Sequence, residues 1–256
     1  RDLGKSLRSA AHPQGRLQAL YTLDGLGTLT IDELLAGLED ENYSVRLHAL
    51  RLADSRLGED ARLLKKLVAM VDDPDPLVRL QVAMSLGESS QPTAVAALVQ
   101  LTRERLGERW MKAAILSSVK NLAGELLAGL LKQEKSKPDP GLAESLAMIA
   151  GSRRRQDELT GLFEALEILG KDNESLLTPC LKGLYKGLEH GAISSLEDKR
   201  GRSALLRLLK RTRGDSLNLC LKIAGRLGLS HSRDLKGFYD KIAAETIDEK
   251  RSEGER

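Results

Sequence analysis

A basic residue recurs at near-constant spacing through the first half of this chain, each time inside the same short pattern. The segments are Gly15-Arg16-Leu17-Gln18-Ala19-Leu20, Val45-Arg46-Leu47-His48-Ala49-Leu50, Val78-Arg79-Leu80-Gln81-Val82-Ala83 and Met111-Lys112-Ala113-Ala114-Ile115-Leu116. Their basic residues stand 30, 33 and 33 positions apart. A period in this range marks an array of one structural unit that buries its apolar face only against its neighbours. Each segment opens a run with apolar residues at i, i+3, i+4 and i+7, the spacing of one helical face. Further amphipathic stretches lie between them at Ile31–Leu38, Ala61–Val71, Ala94–Leu106 and Leu122–Leu131. The repeating unit therefore reads as a pair of antiparallel helices, A then B.

Helix starts are marked chemically. Thr30-Ile31-Asp32-Glu33 has the form of a capping box. Asp75-Pro76, Gln91-Pro92 and Asp139-Pro140 place proline at a first helical position, where its missing N–H costs nothing. No segment alternates with β period, so the expectation is an all-α chain. Hydrophobic residues make up 41%, enough for a core, while aromatic residues make up 3%, too few for most stacking platforms. No stretch approaches the roughly 18 apolar residues of a membrane helix.

The period and the Val-Arg signature resemble the HEAT repeat. The resemblance implies a right-handed α-solenoid, a superhelix of antiparallel helix pairs spanning 1–256, regular over 1–135 and degenerate over 136–256. It also implies a ladder in which a loop Asp pairs with the helix-B cation. Asp40 and Asp73 each precede the next basic residue, Arg46 and Arg79, by six positions. Ala10 and Leu106 occupy that place before Arg16 and Lys112, so a partial ladder is expected. Beyond Asp139 the helices are expected to continue at Leu142–Ile149, Glu158–Leu169, Ser175–Glu189, Ser203–Arg211, Ser216–Leu227 and Leu235–Ala244, without the basic marker.

A second resemblance rests on His12-Pro13-Gln14-Gly15-Arg16-Leu17-Gln18-Ala19-Leu20, Asp75-Pro76-Leu77-Val78-Arg79-Leu80-Gln81 and Trp110-Met111-Lys112-Ala113-Ala114-Ile115-Leu116-Ser117-Ser118. These strings resemble the HEAT-like middle segment of bacterial membrane-bound dehydrogenases that carry a β-propeller before it and a c-type haem domain (CxxCH) after it. The resemblance implies a helical spacer without chemistry of its own and a periplasmic or other extracytoplasmic home. A chain running from Arg1 to Arg256 without either flank then reads as a piece of a longer protein, partnered by flanking domains or by another protein.

Several motifs have a bland and a sharp reading. Gly214-Asp215-Ser216-Leu217 spells the name of a hydrolase family, but the downstream Asp-x-x-His is missing, since Gly228 stands three residues before His231. Asp215 or Ser216 is expected instead to cap a helix. His12, His48, His190 and His231 are scattered, with no pair at metal-ligand spacing. Cys180 and Cys220 fit two buried thiols, with a disulfide open in an oxidising compartment. Trp110, the only tryptophan, either anchors a partner or packs between repeats.

Charge is uneven. Residues 1–150 hold 19 basic and 20 acidic residues, and 151–256 hold 21 and 17. Lys199–Arg213 carries seven basic residues and no acid. Helical spacing puts Arg207, Lys210 and Arg211 on one face, a candidate interface for phosphates or a solvated face with acidic partners nearby. No cofactor is expected. A non-catalytic scaffold leads, with a nucleic-acid-binding solenoid like the HEAT-like DNA-repair glycosylases as the alternative.

Overall fold

The computed structural model describes residues 3–132, 138–169, 173–189, 195–229 and 235–236. Among the described residues there are fourteen α-helices and no strand. Contacts divide the chain into two compact units, residues 1–122 and 123–256.

In the first unit α1 (Leu3–Ser9), α3 (Ile31–Leu38), α5 (Ala61–Ala69) and α7 (Pro92–Arg105) touch in succession and form one layer. The other layer is α2 (Pro13–Gly25), α4 (Tyr43–Ala53), α6 (Pro76–Leu86) and α8 (Met111–Ser118). Each odd-numbered helix packs on the next even-numbered one, so the unit is four stacked hairpins. The expected caps are in place. Thr30 accepts from the Glu33 N–H while Glu33 reaches back to the Thr30 N–H, and Pro76 and Pro92 open their helices. Leu20, Leu34, Leu50, Leu63, Leu86, Leu98 and Ile115 are fully buried between the layers. Each such side chain contributes about 1.5–3 kcal/mol, which a lone hairpin could not secure.

The second unit repeats the arrangement. Helices α9 (Ala123–Leu131), α11 (Gln156–Ile168) and α13 (Lys199–Arg211) form one layer, and α10 (Pro140–Arg153), α12 (Glu174–Glu189) and α14 (Gly214–Arg226) the other. The helix expected at Leu235–Ala244 lies outside the described residues apart from Leu235 and Lys236, which are helical. Phe163 on α11 is the largest fully buried side chain.

Two kinds of contact hold the layers of this unit. On α12, Gly183 and Gly187 lie against the backbone of α10. A Cβ on Gly183 would stand 2.0 Å from the Glu144 carbonyl oxygen, and one on Gly187 2.2 Å from that of Met148. In the other layer, the buried Glu158 of α11 accepts the Gly124 N–H at 2.8 Å, supplying an acceptor to the first turn of α9 from a neighbouring helix. Burial pushes the Glu158 carboxyl above its ordinary range, and the Gly124 N–H pulls it back.

Gly161, inside α11, faces open space, and a Cβ added there would meet no atom within 4 Å. Gly161→Ala should therefore raise stability by up to about 1 kcal/mol through helix propensity alone. Gly183→Ala gains the same propensity but forces backbone apart, and should lower stability by about 1–3 kcal/mol. Thermal denaturation of the two variants, followed by circular dichroism, should move in opposite directions.

Candidate interaction surface

The recurring arginines occupy one structural position, the fourth residue of α2, α4 and α6. Each guanidinium reaches two ways. Toward its own hairpin, Arg16 donates to the Ala10 carbonyl at 3.0 Å, Arg46 to those of Asp40 at 2.9 Å and Glu41 at 3.0 Å, and Arg79 to that of Asp73. Toward the next hairpin, Arg16 grips Asp40 through two bonds of 2.6 and 2.8 Å, and Arg46 grips Asp73 through two of 2.8 Å. Arg79 grips Glu108 at 2.7 and 3.1 Å. Lys112 holds the corresponding place near the start of α8, as its second residue.

Two expectations about this row need correcting. Ala10 breaks nothing, because the residue six before the arginine serves its own arginine through a backbone carbonyl, which every residue has. Leu106 does not interrupt the row either. Glu108, two residues farther along the turn and with one more methylene, carries the carboxylate to Arg79. Sequence reasoning missed Glu108 because it looked only at the six-residue offset.

The side chains of Arg16, Asp40, Arg46 and Asp73 are nearly buried, so these are shielded pairs. The aspartates also order their own turns. Asp40 accepts the Asn42 N–H at 2.8 Å and Asp73 the Asp75 N–H at 3.0 Å. Asn42 and Asp75 are in turn the N-caps of α4 and α6, accepting from Ser44 and from Leu77 and Val78.

Beside this row, at the starts of successive even-numbered helices, three large apolar side chains are exposed. Tyr43 is 44% exposed, Leu77 51% and Trp110 63%. Trp110 therefore does not pack between repeats. It is the N-cap residue of α8 and is left-handed at φ 69°, a conformation costly for a bulky side chain. The Arg109 guanidinium lies 5.2 Å from its ring centroid.

The even-numbered layer of the same unit carries a polar network. The Tyr21 hydroxyl meets His48 Nδ1 at 2.6 Å. Burial, with Arg51 nearby, lowers the His48 pKa. Arg51 donates to Gln81 Oε1 at 3.2 Å, and Gln81 Nε2 donates to Asp54 Oδ2 at 3.3 Å. Burial pushes the Asp54 carboxyl up to about 6, with Ser85 and Arg51 acting against it and Glu88 adding to it.

The remaining sequence candidates are placed as follows. Arg207 and Lys210 are exposed and Arg211 is half-buried. Arg207 is gripped by both carboxylate oxygens of Glu167 on α11, and Arg211 donates to the Glu167 carbonyl. Of the expected basic face, Arg207 is thus paired with a carboxylate of a neighbouring helix, while Lys210 and Arg211 have no such pair among the described residues. Neither residue of the Gly-Asp-Ser-Leu string caps α14. Arg213 is the N-cap, without a side-chain bond, and Ser216 is buried and shares a 2.8 Å hydrogen bond with Thr178. Cys180 and Cys220 are buried free thiols, pushed up to about 12 by burial. His190 and His231 lie outside the described residues. Among the described residues no cluster of His, Cys, Asp and Glu could hold a metal ion, and no helix is long and apolar enough to cross a membrane.

Residues 31–119 match the family model for HEAT repeats, a span covering α3 to α8. No curated protein matches the chain. HEAT repeats are generally scaffold or protein-interaction elements and are typically non-enzymatic.

Two outcomes follow from this geometry. Arg46→Met leaves the nearly buried Asp73 carboxylate uncompensated and should cost about 3–5 kcal/mol, whereas Arg46→Met with Asp73→Leu should recover much of that loss, as read by urea denaturation. Asp54 takes up its proton at higher pH in the folded chain than the ordinary 3.8. Its contribution is therefore fully present below about pH 4 and is lost as pH rises through about 6. Asp54→Asn should remove this slope and raise stability at pH 7 by roughly 1–2 kcal/mol, discounted for partial exposure.

Proposed function

We propose that this chain is a non-catalytic HEAT-type scaffold segment that docks a protein partner along the edge carrying Tyr43, Leu77 and Trp110. The observation that carries the reading is Trp110, a tryptophan 63% exposed and held in a left-handed conformation at the start of α8. Large aromatic anchors ringed by arginine are what interaction hot spots are made of, and Arg109 already lies over the ring. Tyr43 is the first residue of α4 and Leu77 the second of α6, so both expose apolar surface at the start of an even-numbered helix. The match of residues 31–119 to HEAT repeats supports the same conclusion.

Within that reading, the strings at 12–20, 75–81 and 110–118 support a spacer joining the catalytic and haem domains of a larger dehydrogenase-like protein. Native protein captured with an antibody to this segment should then have a mass far above 28.0 kDa and a Soret band. A native mass near 28.0 kDa without haem absorption overturns that placement. Nucleic-acid binding is the weaker alternative, because Glu167 neutralises the middle of the basic helix.

Photocrosslinking from position 77 should capture the partner, and crosslinking from Lys65 should not. Trp110→Ala should then weaken the identified complex by about 30-fold or more, the loss of a hot-spot residue. Trp110→Gly should weaken binding equally while raising stability by up to about 1 kcal/mol, because glycine relieves the left-handed strain. Undiminished affinity in both variants would refute docking at this edge.

A further inference from the structure

The end of α13 and the start of α14 enclose a cleft of about 330 Å³ floored by leucines of α11, α12 and α13. Its polar lining is Lys210, Arg211, Thr212, Arg213, Ser216 and Glu174, three cations against one carboxylate. The basic run of residues 199–213 is treated unequally by its surroundings. Arg200 lies 3.6 Å from the Asp198 carboxylate and Arg207 is gripped by that of Glu167. At the cleft the compensation stops. Among the described residues, no carboxylate lies within ion-pairing distance of Lys210, Arg211 or Arg213. Arg211 and Arg213 instead spend hydrogen bonds on carbonyls, Arg211 on Glu167 and Arg213 on Lys210 and Thr212. Those bonds hold the guanidinium groups in place without neutralising them.

The same cleft contains the first turn of α14. Its N-cap, Arg213, provides no side-chain acceptor, unlike Thr30, Asn42, Asp75 and Asp198 at other helices. The positive end of a thirteen-residue helix therefore adds to the three side-chain cations. Three negative side chains oppose this: Glu174 on the lining, the exposed Asp215 of the first turn, and Glu167, which is paired with Arg207 and whose charge also reaches Arg211.

We propose that this cleft binds a phosphate dianion, presented either as the free ion or as a phosphomonoester. The charge and volume decide between phosphate chemistries. A polyanion such as duplex DNA needs a continuous basic track, and the track along α13 is interrupted by the Arg207–Glu167 pair. A single terminal phosphate fits the local excess of cations, where guanidinium forks meet phosphate oxygens well. The site lies in the second unit and is independent of the edge built by Tyr43, Leu77 and Trp110 in the first.

Isothermal titration calorimetry on the full chain tests the cleft with inorganic phosphate, a phosphoserine tripeptide, its unphosphorylated counterpart and duplex DNA as probes. Phosphate should bind with a Kd near or below the millimolar range, about 1 mM, and more weakly as salt rises. Lys210→Gln with Arg213→Gln should weaken it about tenfold or more, while Lys199→Gln, which removes a cation of the same helix outside the cleft, should leave it unchanged. Unaltered helical circular dichroism in the double variant shows that the loss is local. Tighter binding of the phosphoserine tripeptide than of the free ion assigns the ligand to a modified protein, and equal binding assigns it to the ion. The proposal is overturned by any of three results: no heat at roughly 10 mM phosphate, equal affinity in the double variant, or binding of duplex DNA alone.

Discussion

The stacking of hairpins in the first unit depends on a cation placed where a helix least favours one. Arg16, Arg46 and Arg79 stand in the first turn or just beyond it, near the positive end of the helix dipole. Each is nearly buried as well, so its charge requires a partner. The following hairpin supplies one, as Asp40, Asp73 or Glu108. That carboxylate then sets its own turn in two of the three cases, holding the N–H of the residue that caps the next even-numbered helix. Cation, carboxylate, cap and helix form a chain of dependence, and each link positions the arginine that begins the following one. Relative placement of neighbouring hairpins is thereby specified by directional bonds, in addition to the less selective burial of leucine.

The second unit keeps the two-layer arrangement with other devices. Its helices carry no arginine row of this kind among the described residues, and close backbone contact takes over in one layer. Gly183 and Gly187 are spaced one helical turn apart, and both lie against carbonyl groups of α10. In the other layer Glu158 ties α11 to the first turn of α9. Such contacts specify register through steric exclusion and a single buried acceptor. They leave no periodic chemical signature, which accounts for a family match that ends at residue 119 although paired helices continue.

The same distinction governs what could be read from the chain in advance. Helix pairs, caps and the recurring arginines are local in sequence, and α3 runs over the residues that the capping box and the apolar spacing indicate, Ile31–Leu38. The acid for Arg79 was hidden because a turn can deliver a carboxylate from more than one offset, provided that side-chain length makes up the difference. The neutralisation of Arg207 was hidden more deeply. Glu167 lies 40 residues earlier and meets it only through the packing of α11 on α13. Trp110 stands out as the one tryptophan, but whether it packs or is exposed is open in the sequence, since its exposure follows from a left-handed turn that no adjacent glycine or asparagine announces.

That turn exposes the one tryptophan of the chain at the start of α8. A scaffold selected only for stability would place glycine at a left-handed helix start and keep its one tryptophan inside. Here both choices are reversed at one position, with the indole 63% exposed and the backbone at φ 69°. The cost is local, because α8 still begins with Met111 fully buried and the Trp110 carbonyl still accepts the Ala114 N–H at 2.9 Å. Strain that the surrounding fold tolerates, at a site exposing an apolar surface, is the expected mark of a position shaped for contact with another molecule. The arginine row makes such a position possible by fixing the helix starts independently of the side chains at the edge. Residues 43, 77 and 110 are therefore released from packing and left exposed.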